Sequence, residues 1–451
     1  MKIVIAGCGK LGFALAKQLS AEEHDVTVID LSTEKLGRTL AVLDIQGIAG
    51  NATSFKTQKE AGVPDADLMI AVTGADEVNL LCCLIAGRTG VRKTIARVRN
   101  PVYNDEVGFL SGQLGISVAI NPELACARNM ARLLEVPAAL EITSFARGRV
   151  DLLKLSLPAD TPLDGLTVMD FAKQGRKGTL ISALSRNGEV IIPDGRTKIQ
   201  AGDDMYVITP PAQIHKLLAS AGIVSKPVRN VIIAGGGTTA YYLAKRLERD
   251  QIDVKIIEMD KKRAEELSDL LPECIIINGD ASDRQLLMEE GLLNSDGLVS
   301  LTNLDEENMV LSMFANKVGH AKTITKLNHI SFDEVVSDLP LGSIVSPKDA
   351  IAKMILQYVR AMQNTFGSNV ETLTRILDDK AEVLEFAIRQ KSEVTDKPLM
   401  ELSLKKGLLV CAIVREGKVI TPGGRDDMRV GDNVVIMTTI KGLNDIKGIL
   451  A

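Results

Sequence analysis

Residues 1–12 read MKIVIAGCGKLG, and residues 229–240 read RNVIIAGGGTTA. The first stretch carries G-x-G-x-x-G at Gly7, Gly9 and Gly12, after the apolar run Lys2–Ala6 and before the helix-like stretch Leu11–Ser20. In a strand–turn–helix unit each glycine has its own task. The first permits a sharp turn, the second lets backbone approach a pyrophosphate, and the third lets the helix pack on the strand. The helix N-terminus then offers free N–H groups and a partial positive charge to phosphate. Alone the pattern is weak. Here an acid, Asp30, ends the next strand, placed to accept hydrogen bonds from ribose hydroxyls. A carboxylate there repels a 2′-phosphate, which disfavours NADP. The competing reading is a tight glycine turn with no ligand.

The second stretch is the same unit written again. Gly7 and Gly235, like Asp30 and Glu258, stand 228 positions apart; Thr73 and Thr302, Pro193 and Pro422, and Gly202 and Gly431 stand 229 apart. One offset held over so long a span marks duplication of a domain-sized unit, far longer than a solenoid repeat. In copy two, Gly235-Gly236-Gly237-Thr238-Thr239-Ala240 has alanine in third place and Glu258 at the ribose position. A degenerate, empty site is the alternative there.

Each copy alternates strand and helix patterns; Asp25–Ile29, Leu68–Thr73 and Thr94–Val98 read as further strands of copy one. This predicts the α/β class: two Rossmann-like, doubly wound parallel-sheet domains. Asn121-Pro122-Glu123 opens a longer helix, with Leu124, Ala127, Ala131 and Leu134 as its apolar stripe. Ser346-Pro347-Lys348-Asp349 opens its counterpart, with Ile351, Ile355, Tyr358 and Met362. Such a helix either packs on its own domain or crosses to a partner subunit. The tail of each copy reads as a small α+β module. Leu153, Leu155 and Leu157 alternate, Asn187-Gly188 and Glu416-Gly417 mark hairpins, and Gly202-Asp203 and Gly431-Asp432 precede a last strand. The expected boundaries are 1–120, 121–140 and 141–222, then 228–345, 346–366 and 367–451, with Ser220–Lys226 between the copies.

Composition narrows the function. A chain of 451 residues holds two to four domains, and 45% hydrophobic with 25% charged residues is ordinary for a globular protein. The net charge of −5, the absence of Trp and 3% aromatics argue against nucleic acid as a partner. Apolar runs such as Leu408–Val414 are far short of a membrane span, and no signal peptide opens the sequence. Cys8, Cys82, Cys83, Cys126, Cys274 and Cys411 form no C-x-x-C pair, so reduced cytosolic thiols and no metal site are expected.

Two further segments bear on ligand binding. Thr73-Gly74-Ala75-Asp76-Glu77-Val78-Asn79 follows a buried strand, and Thr302-Asn303-Leu304-Asp305-Glu306-Glu307-Asn308 matches it. Thr73 either faces the crevice at the strand end or caps a helix with Asp76. Arg97 ends the following strand, with Lys326 in copy two, and either neutralises phosphate or is a solvated charge. Only His24, His215, His320 and His329 are present, and no hydrolase, zincin or Walker pattern occurs. Binding without catalysis is the expected reading; a NAD-dependent oxidoreductase is the alternative.

Taken together these residues resemble the TrkA family, the peripheral regulatory subunits of Trk-type potassium uptake systems. The resemblance spans essentially the whole chain, as two regulator-of-K-conductance (RCK) domains each followed by an RCK C-terminal module. It rests on Gly7, Gly9, Gly12 and Asp30, on Gly50-Asn51-Ala52-Thr53 with Gly279-Asp280-Ala281-Ser282 as its mate, on the stretch around Thr73, and on Arg97-Val98-Arg99-Asn100-Pro101. Asn51 stands where the family has an acid; copy two departs at Thr302-Asn303 and Lys326. The resemblance implies NAD(H) or ATP/ADP bound by Gly7, Cys8, Gly9, Lys10, Leu11, Gly12, Asp30, Asn51, Ala52, Thr73, Gly74, Arg97 and Val98. In copy two it implies Gly235, Gly236, Gly237, Thr238, Thr239, Glu258, Asp280 and Lys326. It further implies an integral-membrane channel partner, a location at the inner face of the cell membrane, and a homotetramer whose eight domains form a ring.

Overall fold

The structure, a computed structural model, describes the chain except residues 174–177, 224–225, 320, 329–335, 337–338, 364–369 and 378–379. Lys2–Ala6 (β1) buries its last four residues in an unbroken apolar run. A strand without polar alternation belongs in a sheet covered on both faces. With Asp25–Asp30 (β2), Gln46–Ala49 (β3), Leu68–Ala71 (β4), Lys93–Arg97 (β5) and Val118–Ile120 (β6) it forms a six-stranded parallel sheet, ordered β3-β2-β1-β4-β5-β6. The order reverses between β1 and β4, which opens a crevice beyond their C-terminal ends.

Ala139–Phe145 (β7), Val150–Ser156 (β8), Leu180–Arg186 (β9), Glu189–Ile191 (β10) and Asp204–Thr209 (β11) make an antiparallel sheet ordered β10-β9-β11-β8-β7. The β9–β10 turn places Asn187 at φ 51 and Gly188 at φ 77. Positive φ at both central residues defines the type I′ turn, whose twist suits a hairpin. Asp203 is buried in the turn before β11, and its carboxylate receives Arg186 Nε at 2.7 Å and Nη2 at 2.8 Å.

The architecture then repeats. Asn230–Ala234 (β12), Asp253–Glu258 (β13), Ile275–Asn278 (β14), Gly297–Ser300 (β15), Lys322–Lys326 (β16) and Ser343–Val345 (β17) form the second parallel sheet, ordered β14-β13-β12-β15-β16-β17. Val370–Ile376 (β18), Ala381–Ala387 (β19), Leu408–Arg415 (β20), Lys418–Ile420 (β21) and Asn433–Thr438 (β22) form the second antiparallel sheet, ordered β18-β19-β22-β20-β21. Glu416 and Gly417 repeat the positive-φ turn, and Asp432 receives Arg415 as Asp203 receives Arg186.

The two copies are interlocked. The helix Pro122–Glu135 buries Cys126, Ala127, Met130, Ala131 and Leu134 in one apolar cluster with Tyr241, Tyr242, Leu243 and Leu247 of copy two. The helix Pro347–Gln363 buries Ile351, Ile355, Leu356 and Val359 against Leu11, Leu15, Leu19 and Val26 of copy one. Each linker helix thus buries apolar side chains against the parallel-sheet domain of the other copy. Each fully buried Ile or Leu at such a contact contributes about 1.5–3 kcal/mol. Polar contacts reinforce the exchange: Asn121 Nδ2 donates to the Tyr242 hydroxyl at 2.9 Å, and the Arg360 guanidinium pairs with Glu22. The antiparallel sheets also meet face to face, Leu152, Ala183 and Tyr206 against Val383, Ala412 and Met437.

Candidate functional site

The glycine turn of copy one is built by steric exclusion. Gly7 sits at φ +102, and a Cβ there would lie 3.0 Å from Val72 O and Thr73 N. A Cβ on Gly12 would lie 1.9 Å from Gly7 O, so the helix Lys10–Ala21 can approach β1 only without a side chain. Gly9 differs: its Cβ direction meets nothing within 4 Å and opens into a cleft. Asp30 at the end of β2 holds this turn in place. Its Oδ2 accepts the Cys8 N–H at 2.6 Å and its Oδ1 accepts the Ser32 N–H at 2.8 Å.

The cleft has a volume of ≈ 750 Å³ and runs from Asp30 past Gly9 to Arg97. Gly7, Gly9, Lys10, Leu11, Asp30, Asn51, Ala52, Thr73, Gly74 and Arg97 all line it. Three other expected residues do not. Cys8 contributes only its backbone; its buried thiol lies 2.9 Å from Thr39 Oγ1. Gly12 is consumed by helix packing. The Val98 side chain is buried in the core beside Cys82 and Cys83. Asn51 Oδ1 accepts from the backbone and hydroxyl of Thr53 at 3.0 and 2.8 Å.

Thr73 forms the floor beyond β4. Its N–H and hydroxyl both donate to Asn79 Oδ1 at 2.7 Å, and Asn79 Nδ2 donates to Arg97 O at 3.0 Å. The expected Thr73–Asp76 cap is therefore absent; Asp76 Oδ2 instead accepts the N–H groups of Arg99 and Asn100, each at 2.8 Å. A threonine hydroxyl takes the nearest buried acceptor, and that is Asn79. The Arg97 guanidinium donates to Thr73 O, and its Nε is buried without a partner. Burial, and then the neighbouring Arg99, lower the Arg97 pKa. Burial raises that of Glu123 at the same wall.

Several wall residues lie outside the expected binding set. Ser32, Lys35, Arg99, Pro122 and Glu123 come from copy one, and Asn328, Pro347, Lys348 and Ile351 come from copy two. Pro347, Lys348 and Ile351 enter through the exchanged linker helix, and Asn328 from the segment after β16. The cleft has the space, the open Gly9 face, the helix start and the acid that binding an adenine dinucleotide or nucleotide calls for.

Copy two keeps the frame and alters the walls. Gly235 sits at φ +99, and Glu258 accepts the N–H groups of Gly236 and Asp260 at 2.6 and 2.7 Å. Thr302 and Asn308 repeat the Thr73–Asn79 latch at 2.9 Å. Arg263 Nε donates to Gly236 O at 2.9 Å. The Lys326 ammonium is buried and donates to Leu301 O at 3.0 Å. Asp280 is exposed and accepts the Ser282 N–H at 2.8 Å. Thr239 is buried, whereas Thr238 lines a cavity of ≈ 790 Å³ between the copies, with Glu77, Arg99, Glu123, Tyr241 and Arg263. Gly235, Gly236, Gly237 and Glu258 are not among its walls.

Other candidates recede. Burial pushes the Cys82 thiol up to about 12 and Cys83 higher still, and all six cysteines are free. Among the described residues no cluster of three or more His, Cys, Asp or Glu could hold a metal ion. His320 and His329 lie outside the described residues.

Comparison with known proteins agrees with this repeat. The TrkA-N domain model matches residues 3–122 and 231–347, and the TrkA-C domain model matches 152–222 and 383–451. The chain is 33% identical to the Trk system potassium uptake protein TrkA homolog 2 of Methanosarcina mazei, with 99% of each covered. It is 31% identical to the Trk system potassium uptake protein TrkA of Haemophilus influenzae, covering 98% of this chain and 96% of that one. Among solved structures, the GsuK RCK domain aligns over 97% of this chain and 92% of its own, with a TM-score of 0.62 at 18% identity. A structure titled GsuK channel bound to NAD aligns over 97% of this chain and 76% of its own, at a TM-score of 0.63 and 18% identity. These last two share the fold. With both halves matched by one pair of domain models, and relatives alike from end to end, the chain belongs to the TrkA family.

Proposed function

We propose that the chain is a nucleotide-gated regulatory subunit of a Trk-type potassium uptake system, binding NAD(H) or ATP/ADP in the copy-one cleft without transforming it. The observation that carries this is the cleft itself: an open Gly9 face beside an acid-anchored glycine turn, with Arg97 at the far wall. Gly7, Gly9, Lys10 and Leu11 would receive phosphate, Asp30 the ribose, and Thr73, Gly74 and Arg97 the distal end. Membership in a family whose relatives are named as potassium uptake proteins supports the transport role. No helix among the described residues is long and apolar enough to cross a membrane, so an integral-membrane partner would supply the ion path. A tetramer, placing eight Rossmann-like domains in a ring at the inner membrane face, is part of the same reading.

Gating needs only differential affinity. A ligand shifts a two-state ring by the ratio of its affinities for the two states, and each tenfold is worth about 1.4 kcal/mol. The linker helices suit this role, since each joins one copy's sheet to the other copy's core. Calorimetric titration with NADH, NAD, ATP and ADP tests binding, and sedimentation tests the tetramer. Sustained NADH consumption with carbonyl substrates would instead favour an oxidoreductase.

A further inference from the structure

The internal two-fold relation sets residues of opposite charge in matching places. Pro122-Glu123 opens one linker helix and Pro347-Lys348 opens the other. Because the helices are exchanged, both starts reach the copy-one cleft, where Glu123 and Lys348 line the same wall. The Lys348 ammonium donates to Asn328 O, which uses one of its three donors. Burial lowers the Lys348 pKa, and the positive charge of Lys10 lowers it further. Lys10 and Lys348 both line this cleft. Among the described residues neither forms an ion pair with a carboxylate. Lys10 stands in the first turn after Gly9, where the phosphates of a bound nucleotide begin.

The second cavity between the copies is mixed in charge, with Arg99 and Arg263 beside its acids. Thr238 stands where copy one has Lys10, and Asn328 where it has Arg99. Lys326, the mate of Arg97, is tied to Leu301 O. The linker start that reaches this cavity brings Glu123, beside Asp76 and Glu77. The first cavity thus gathers Lys10, Lys35, Arg97, Arg99 and Lys348 against Asp30 and Glu123, an excess of positive charge that the second cavity lacks.

We infer that Lys348, delivered from copy two, contacts the terminal phosphates of a nucleotide in the copy-one cleft, so that each chain holds one phosphate-counting site built from both halves. This rests on the nucleotide reading above. A monophosphate resting on the glycine turn does not reach Lys348; a triphosphate does, and draws the second copy's linker helix toward the first copy's turn.

The test is titration of the full chain with ATP and AMP at fixed salt, for wild type, Lys348→Gln and Lys348→Arg. Expected are one ATP per chain and ATP affinity weakened about 10-fold or more by Lys348→Gln, the loss typical of one hydrogen bond to a charged group. AMP affinity should stay within about twofold, and Lys348→Arg should restore most of the ATP preference. Equal losses for ATP and AMP, no loss for either, or two equivalent ATP sites per chain would overturn the inference. A second measurement needs no variant. An acyl-phosphate derivative of ATP, which transfers its acyl group to a nearby lysine amine, should label Lys348 in the wild type; label confined to Lys10 or Lys35 would overturn it. Wild type that binds no nucleotide would defeat the underlying reading, whereas normal wild-type binding with an unaffected Lys348→Gln would defeat this inference alone.

Discussion

The Cys8 N–H donates to Asp30 Oδ2 at 2.6 Å, and in the second copy the Gly236 N–H donates to Glu258 Oε2 at the same 2.6 Å. The acid that ends the second strand therefore anchors the glycine turn, in addition to the ribose contact proposed for Asp30. Asp30→Ala should lower the unfolding midpoint and weaken nucleotide affinity by about 10-fold or more. Glu258→Ala should lower the midpoint comparably and leave the copy-one affinity intact. Thermal melts paired with titrations check both, and equal affinity losses from the two variants would contradict the assignment.

Asn79 is fully buried, and its side-chain amide joins Thr73 to the carbonyl of Arg97. Asn79→Ala leaves buried donors and acceptors unpaired, at a cost of about 2–3 kcal/mol. Asn308→Ala should cost a similar amount through the equivalent latch of copy two. Denaturant unfolding measures both, and only Asn79→Ala should also loosen nucleotide binding.

Gly12 and Gly9 separate packing from binding. A Cβ at Gly12 collides with the carbonyl of Gly7, a backbone atom held by the turn. Gly12→Ala should destabilise by about 1–3 kcal/mol or more, read as a lower melting temperature or loss of soluble protein.

Lys322 opens β16 half-buried, donating to Ala139 O at 2.6 Å and to Ser343 Oγ at 2.9 Å. Burial pushes its pKa down to about 8. Because the folded value lies below the ordinary lysine value of about 10.4, the unfolded chain binds more protons between them. Stability contributed by this group therefore rises with pH from about 8 toward about 10. Melting temperatures of wild type and Lys322→Met across that window check this: the wild type should gain relative to the variant, and parallel profiles would contradict it.

The sheet frame and the glycine turn were legible because they depend on neighbours in sequence. Lys2–Ala6, the glycines and Asp30 sit within one strand–turn–helix–strand unit, and the repeat confirms each by its mate. The linker exchange was not legible, since an apolar stripe such as Ile351, Ile355 and Tyr358 shows that a face is buried but not what buries it. That is why Lys348 becomes a wall residue only in the structure. Val98, directly after Arg97, turns into the core beside Cys82 and Cys83 instead of the cleft. Asn79 was overlooked in favour of Asp76, yet the pair Thr73 and Asn79 recurs as Thr302 and Asn308, a signal the repeat itself contained.

The most direct measurement of the central claim is titration of wild type and Gly9→Val with NADH and ATP. The Cβ direction of Gly9 opens into the cleft and touches no neighbour, so the variant should melt like wild type. The wild type should show saturable binding with no consumption of the nucleotide, and Gly9→Val should show none. Undiminished affinity in Gly9→Val, or steady turnover by the wild type, would contradict a non-catalytic nucleotide site at this turn.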